Sequence, residues 1–236
     1  MKAHETQSAH AVPSRRGIGL LGGTFDPIHN GHLALAQAAL DALGLSCVEF
    51  LPAGEPWQKR LLTPSIHRLE MTRAALCGEP LMRVNDMEIR RSGPTYTVET
   101  LSALRGRLGG SYPLVLLLGG DQWRNLHTWS RWQSLLDYAN IAVCARAGAA
   151  IDADRAVLEW SRNRRVEAGE LTAHDFGRIA FFSMPSHLAS ATAIRSAFAR
   201  WPFPEAMRRI EGWLPFEVSA YIRRNALYGT GRRTGS

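Results

Sequence analysis

The sequence has little cysteine, almost no lysine and no long apolar run. Its three cysteines, Cys47, Cys77 and Cys144, lie far apart in 236 residues. An odd, scattered set builds neither a disulfide framework nor a zinc cluster and fits core thiols in a reducing cytoplasm. No apolar block approaches the ~20 residues of a membrane span, so no membrane partner is expected; the longest lies near Leu114–Leu118. The first sixteen residues hold no apolar core and do not read as a secretory signal, so a cytoplasmic location is the expectation. Lysine is confined to Lys2 and Lys59, a skew read as genomic composition bias that singles out Lys59. G-x-x-x-x-G-K-[ST] is absent, which excludes a P-loop protein. So is G-x-S-x-G, which excludes the usual α/β-hydrolase nucleophile.

The formal charge is +7, but much of it sits at the ends. Setting aside residues 1–16 and 229–236, the rest carries 23 basic against 20 acidic side chains. A nucleic-acid partner wants a basic stripe on a folded face, and so small an excess argues against one. The length and 45% apolar content suit one domain with a full core. We expect that domain at residues 17–228, with 1–16 and 229–236 as flexible tails.

Strand-like and helix-like segments alternate. Strands are expected at Ile18–Leu21, Cys47–Leu51, Leu81–Val84, Leu114–Leu118, Ile141–Ala145 and Ile179–Met184. Helices are expected at His32–Leu43, from Pro64 (behind Thr63 as N-cap) to Leu76, and at Thr97–Leu108, Ser130–Tyr138, Asp152–Arg162, Thr192–Arg200 and Glu217–Leu227. The fold class is therefore α/β and Rossmann-like, a mostly parallel sheet with helices on both faces and Leu114–Leu118 central. Ligands then bind beyond the carboxyl ends of the strands, where strand order reverses.

Gly17, Gly19 and Gly22 fit the G-x-G-x-x-G pattern of dinucleotide-binding folds, but as a decoy. That pattern needs its glycines after the strand, whereas Gly17 and Gly19 flank and interrupt it. The acid expected ~20 residues on would be Asp41, inside a helix. The segment after the strand is more specific: Gly22-Gly23-Thr24-Phe25-Asp26-Pro27-Ile28-His29-Asn30-Gly31-His32-Leu33. Two glycines admit a ligand close to the backbone. Asn30 and the helix start offer free N–H groups, and His29 and His32, three apart, can face one spot. Loop, helix dipole and imidazoles together suit a polyphosphate. Near the end, Ser190-Ala191-Thr192-Ala193-Ile194-Arg195 opens a helix with two hydroxyls and a guanidinium, all of which can address phosphate oxygens. His174-Asp175, the run Arg162–Arg165, and Trp201, Phe203, Trp213 and Phe216 read as surface or packing residues.

The first of these segments resembles the signature of the nucleotidyltransferase superfamily. The second is similar to its Ile-Ser-Ser-Thr-x-Ile-Arg motif, with Ala189 and Ala191 in place of Ile and the second Ser. Further segments resemble the bacterial nicotinate-nucleotide adenylyltransferases. They are Leu51-Pro52-Ala53-Gly54 with Lys59, Gly93-Pro94-Thr95-Tyr96-Thr97, Gly119-Gly120-Asp121, Leu126 with Trp129, Tyr221-Ile222, and Leu227-Tyr228. Trp57-Gln58 stands where the family has Pro-His before Lys59, and Ala147 where it has Pro.

The resemblance implies adenylyl transfer from ATP to nicotinate mononucleotide, giving nicotinate adenine dinucleotide and pyrophosphate, a step of NAD biosynthesis. It implies that His29, His32 and Arg195 serve catalysis. Gly22, Gly23, Thr24, Phe25, Lys59, Gly119, Asp121, Ser190 and Thr192 would bind ATP and its phosphates. Tyr96, Thr97 and Trp129 would bind the nicotinate, through a helix-start amide on the carboxylate and a stacked ring. Magnesium is expected to arrive with ATP, held by phosphates and water rather than by a protein metal site. The expected partners are thus ATP and nicotinate mononucleotide, with a homo-oligomer left open. The alternatives are another acceptor (nicotinamide mononucleotide or pantetheine phosphate) and a non-catalytic nucleotide-binding protein.

Overall fold

A computed structural model describes residues 16–54, 63–146 and 152–231; for Arg146 only the backbone is described. Six strands, β1 (Ile18–Gly23), β2 (Cys47–Pro52), β3 (Met82–Val84), β4 (Leu114–Gly119), β5 (Asn140–Arg146) and β6 (Ile179–Met184), form one sheet. Its order is β3-β2-β1-β4-β5-β6 and every pairing is parallel. Strand order reverses between β1 and β4, so the carboxyl ends of those two strands flank the natural ligand crevice of a doubly wound sheet.

The sheet is buried on both faces, and its side chains alternate between them. Val115, Leu117, Ala142, Cys144, Ala180 and Phe182 point to one core. That core is covered by α1 (Asn30–Leu43), α2 (Ser65–Ala75), α6 (Ala191–Arg200), α7 (Phe203–Arg209) and α8 (Phe216–Arg224). Leu114, Leu116, Leu118, Ile141, Val143 and Ile179 point to the other, under α3 (Thr97–Leu108) and α5 (Arg155–Ser161). Helix α4 (Gly120–Arg124) follows β4 directly. None of the helices among the described residues is long and apolar enough to cross a membrane.

The glycine decoy resolves as strand packing. A Cβ on Gly19, inside β1, would stand 2.8 Å from Leu45 Cδ1, and one on Gly17 2.9 Å from the Pro113 carbonyl. Neither glycine faces a ligand; both let neighbours close on the strand. Asp41 accepts from Gln37 Nε2 at 3.0 Å on the exposed side of α1.

Several expected boundaries move. Ser130–Tyr138 is a tight 3-10 stretch over Trp132–Asp137, entered through Arg131 in the left-handed region at φ 49°. The stretch expected at Asp152–Arg162 becomes α-helical only at Arg155, where Asp154 Oδ1 accepts from the Ala156 amide at 2.9 Å. At α2 the N-cap position falls to Pro64; Thr63 lies before it and contributes its carbonyl, not a cap. Helix α8 stops at Arg224, ahead of Ala226 at φ 51°. Helices α4 and α7 were not expected: five and seven residues are too few to show a helical period.

Candidate active site

The segment between β1 and α1 is held from below. Phe25 is 1% exposed and packs against Phe50 and edge-on against His32. Any contribution of Phe25 to a ligand is therefore through its backbone, at φ 48°. A Cβ on Gly23 would stand 2.8 Å from the Phe25 ring, whereas one on Gly22 would meet nothing within 4 Å. The chain thus bends tightly at Gly23 and leaves open space over Gly22.

Arg68 is 1% exposed and spends its guanidinium on backbone carbonyls. Nη1 donates to Thr24 O at 2.8 Å, Nη2 to Gly54 O at 2.8 Å and Nε to Thr63 O at 3.0 Å. One side chain of α2 therefore ties the glycine loop to the chain leaving β2 and to the chain entering α2. Burial lowers its pKa from the ordinary arginine value, which leaves it charged. Lys59 falls in the stretch between those two tied points and lies outside the described residues, as do Trp57, Gln58 and Ala147.

His29 and His32 stack with ring centroids 3.8 Å apart. The His29 amide donates to His32 Nδ1 at 3.2 Å. With Nδ1 accepting, the neutral His32 tautomer carries its proton on Nε2. His29 is 8% exposed, and its Nδ1 is buried without a hydrogen-bond partner. Burial, reinforced by nearby His187 and opposed by a backbone hydrogen bond, lowers its pKa to about 4. His29 is thus a neutral imidazole near pH 7. Asn30 differs from expectation. Its backbone amide donates to Trp213 O at 2.9 Å and its Nδ2 to Gly212 O at 2.8 Å, so it anchors the loop ahead of α8 and its backbone N–H is not open to a ligand.

Helix α6 delivers the late segment to the same place. Arg195 Nη1 donates to the Asp26 carbonyl at 2.6 Å. Ser190 occupies the N-cap position but makes no capping bond with its side chain, and both it and Thr192 are exposed. The two segments proposed to grip one phosphate chain therefore meet at Asp26, between the glycine loop and the histidines.

Beside this corner opens a cavity of about 350 Å³. Gly22, Gly23 and Thr24 form one wall, Tyr96 and Thr97 at the start of α3 another, and Asp121 and Trp129 a third. Tyr96 holds the N-cap position of α3 and makes no side-chain cap, so the positive end of a twelve-residue helix addresses the cavity. Trp129 is half-buried, with its amide donating to Leu126 O at 2.9 Å. Asp121 is exposed and pairs with Arg124 at 3.1 Å. The Gly119 amide is taken by Gln122 Oε1 at 2.9 Å, within the cap of α4.

Glu88 was missed by sequence reasoning. It lines the cavity almost buried and accepts from Thr100 Oγ1 at 2.8 Å. Burial raises its pKa, against the pull of Thr100, Arg91 and Thr95. Nothing in its sequence neighbourhood sets it apart from Asp86 or Glu79. Arg68 left one signal, an arginine on the same helical stripe as Met71, Thr72 and Ala75.

An all-parallel sheet with a glycine loop and two helix N-termini gathered at its switch point is the architecture of a nucleotidyltransferase. Residues 20–197 match the Cytidylyltransferase-like family. The probable nicotinate-nucleotide adenylyltransferase of Bordetella petrii is 41% identical over 89% of this chain and 98% of its own. That of Bordetella pertussis is 40% identical over 89% and 97%. Among solved structures, the nicotinic acid mononucleotide adenylyltransferase of Plasmodium falciparum complexed with NaAD superposes with a TM-score of 0.70. It covers 91% of this chain and 98% of its own at 17% identity, a likeness of fold. The chain belongs to the nicotinate-nucleotide adenylyltransferases, within the cytidylyltransferase-like family.

Proposed function

We propose that the protein transfers the adenylyl group of ATP to nicotinate mononucleotide, releasing pyrophosphate and forming nicotinate adenine dinucleotide. The observation that carries this reading is the direct joining of two sites. The Gly22–Asp26 segment borders the cavity on one side and meets Arg195 on the other. A cavity with an aromatic wall and an open helix start suits an acidic ring. The adjoining corner, with imidazoles, exposed hydroxyls and a guanidinium, suits a triphosphate.

The attacking group is a phosphate oxygen of the acceptor, already anionic, so no general base is required. It forms a bond to the α-phosphorus as the bond to the bridging oxygen of the leaving pyrophosphate breaks in line. Catalysis then reduces to positioning and charge stabilisation. Gly22, Gly23 and Thr24 give the nucleotides a close approach. His32 donates from Nε2, and His29, being neutral, acts as a hydrogen-bond donor rather than a fixed cation. Arg195, with Ser190 and Thr192, holds the β- and γ-phosphates. Thr97 receives the pyridine carboxylate at the helix start, and Trp129 stacks on the ring.

Magnesium, when bound, would neutralise phosphate charge. Among the described residues no group of three or more His, Cys, Asp or Glu could hold a metal ion. In this reading the ion arrives with ATP, and Asp121 on the cavity wall is a carboxylate that could approach it. The three free thiols accord with a cytoplasmic setting.

The test is an acceptor panel. With ATP and each of nicotinate mononucleotide, nicotinamide mononucleotide and pantetheine phosphate, pyrophosphate release should be fastest by far with the first. Turnover of another acceptor, with only background for nicotinate mononucleotide, would overturn the substrate. ATP binding without pyrophosphate release for any acceptor would favour a non-catalytic nucleotide-binding protein.

A further inference from the structure

Asp26 is 2% exposed, and its groups join three distant parts of the chain. Its carbonyl accepts from Arg195 Nη1. Its carboxylate accepts from Tyr228 Oη at 2.6 Å, across 202 residues, and from the Thr63 amide at 3.3 Å. Tyr228 reaches this point from the 3-10 turn Leu227–Gly229 that follows α8. Its ring lies parallel to Phe198 of α6, one helical turn beyond Arg195.

The backbone of Tyr228 is in the left-handed region, at φ 56° and ψ 24°. A bulky residue adopts that conformation at a cost of about 1–3 kcal/mol and keeps it only where the surroundings enforce it. Here the enforcing contacts are the Phe198 ring and the Asp26 carboxylate. Burial and that carboxylate also push the phenol pKa well above its usual value, so the hydroxyl stays protonated and donates.

We propose that Tyr228 is a positioning residue for the transfer: its hydroxyl fixes the Asp26 carboxylate, and so the carbonyl on which the Arg195 guanidinium is aimed. The inference rests on Arg195 contacting the ATP phosphates, as set out above. Tyr228 itself touches no substrate. Its role is to keep the early loop and the late helix in register, so that their phosphate donors converge before ATP arrives.

The test is a double-mutant cycle on ATP kinetics with Tyr228→Phe and Arg195→Ala. Phe keeps the ring beside Phe198 and removes only the donor. Loss of one hydrogen bond to a charged partner corresponds to about tenfold in an equilibrium or rate. Tyr228→Phe should lower kcat/KM for ATP about tenfold and leave KM for nicotinate mononucleotide within about twofold. In the Arg195→Ala background the same change should cost less than about twofold, because the group it orients is gone. Asp26→Ala, which removes the acceptor, should show the same loss and the same masking. Wild-type ATP kinetics in Tyr228→Phe, or an undiminished loss in the Arg195→Ala background, would overturn the positioning role. Unchanged ATP kinetics in Arg195→Ala alone would overturn the phosphate role of Arg195 and the proposal with it.

Discussion

The rings of His29 and His32 stack 3.8 Å apart at 26° to one another, with His29 the more deeply buried of the two. Two imidazoles so close do not both carry charge at little cost. His29, with its pKa lowered to about 4 by burial, is neutral near pH 7, and a bound triphosphate is what would favour its protonation.

The burial of His29 predicts an acid-sensitive fold. The folded His29 pKa of about 4 lies below the ordinary 6.5, so the unfolded chain binds the proton more readily between those values. The stability is present above about pH 6.5 and is lost as pH falls towards 4. The full loss is about 3 kcal/mol at roughly 1.4 kcal/mol per pKa unit. Urea unfolding of the wild type and of His29→Gln across pH 4–7 checks this. The variant should lose that part of the slope, and identical slopes would contradict it.

Gly22 separates ligand space from fold space. A Cβ there meets nothing within 4 Å but projects over the cavity wall. Gly22→Ala should leave the thermal midpoint unchanged and lower kcat/KM by about tenfold or more through lost close approach. Unimpaired turnover would mean that no ligand passes over this position.

Trp129 is expected to act on the acceptor rather than on ATP. Trp129→Ala should raise KM for nicotinate mononucleotide about tenfold, the scale of one aromatic stack on a heteroaromatic ring, with KM for ATP nearly unchanged. Equal rises for both substrates would assign the ring to general packing.

Arg68 should matter to fold and site together. Arg68→Ala strips the carbonyls of Thr24, Gly54 and Thr63 of their shared donor. Orphaned buried acceptors cost about 1–3 kcal/mol each before relaxation, so a loss of roughly 3 kcal/mol or more in denaturant unfolding is expected. A change below ~1 kcal/mol would show that water replaces the guanidinium without penalty.

Much of this site was legible in the residues because its parts are local. A strand, a glycine turn and a helix start occur in one unbroken stretch from Ile18 to Leu43, and each carries its own signal. The same holds for Thr97–Leu108, whose ends the sequence placed without error. What was not legible is long-range. Asp26 stood inside a recognised segment, yet its partners Tyr228 and Arg195 come from 202 and 169 residues away. Glu88 carries no local pattern, and its burial depends on α3 folding over it. Asn30 was misread for the same reason, since the carbonyls that occupy it belong to Gly212 and Trp213. The short helices α4 and α7 fell below the length at which a 3.6-residue period can be seen.

The central claim, that one triphosphate is gripped jointly by the early loop and the late helix, is tested most directly by a crystal structure with a non-hydrolysable ATP analogue. Phosphate oxygens are expected within hydrogen-bond reach of His32 Nε2 and of the Arg195 guanidinium in the same molecule, beside the Gly22–Thr24 backbone. A triphosphate that touches only one of the two, or lies elsewhere on the sheet, would contradict it.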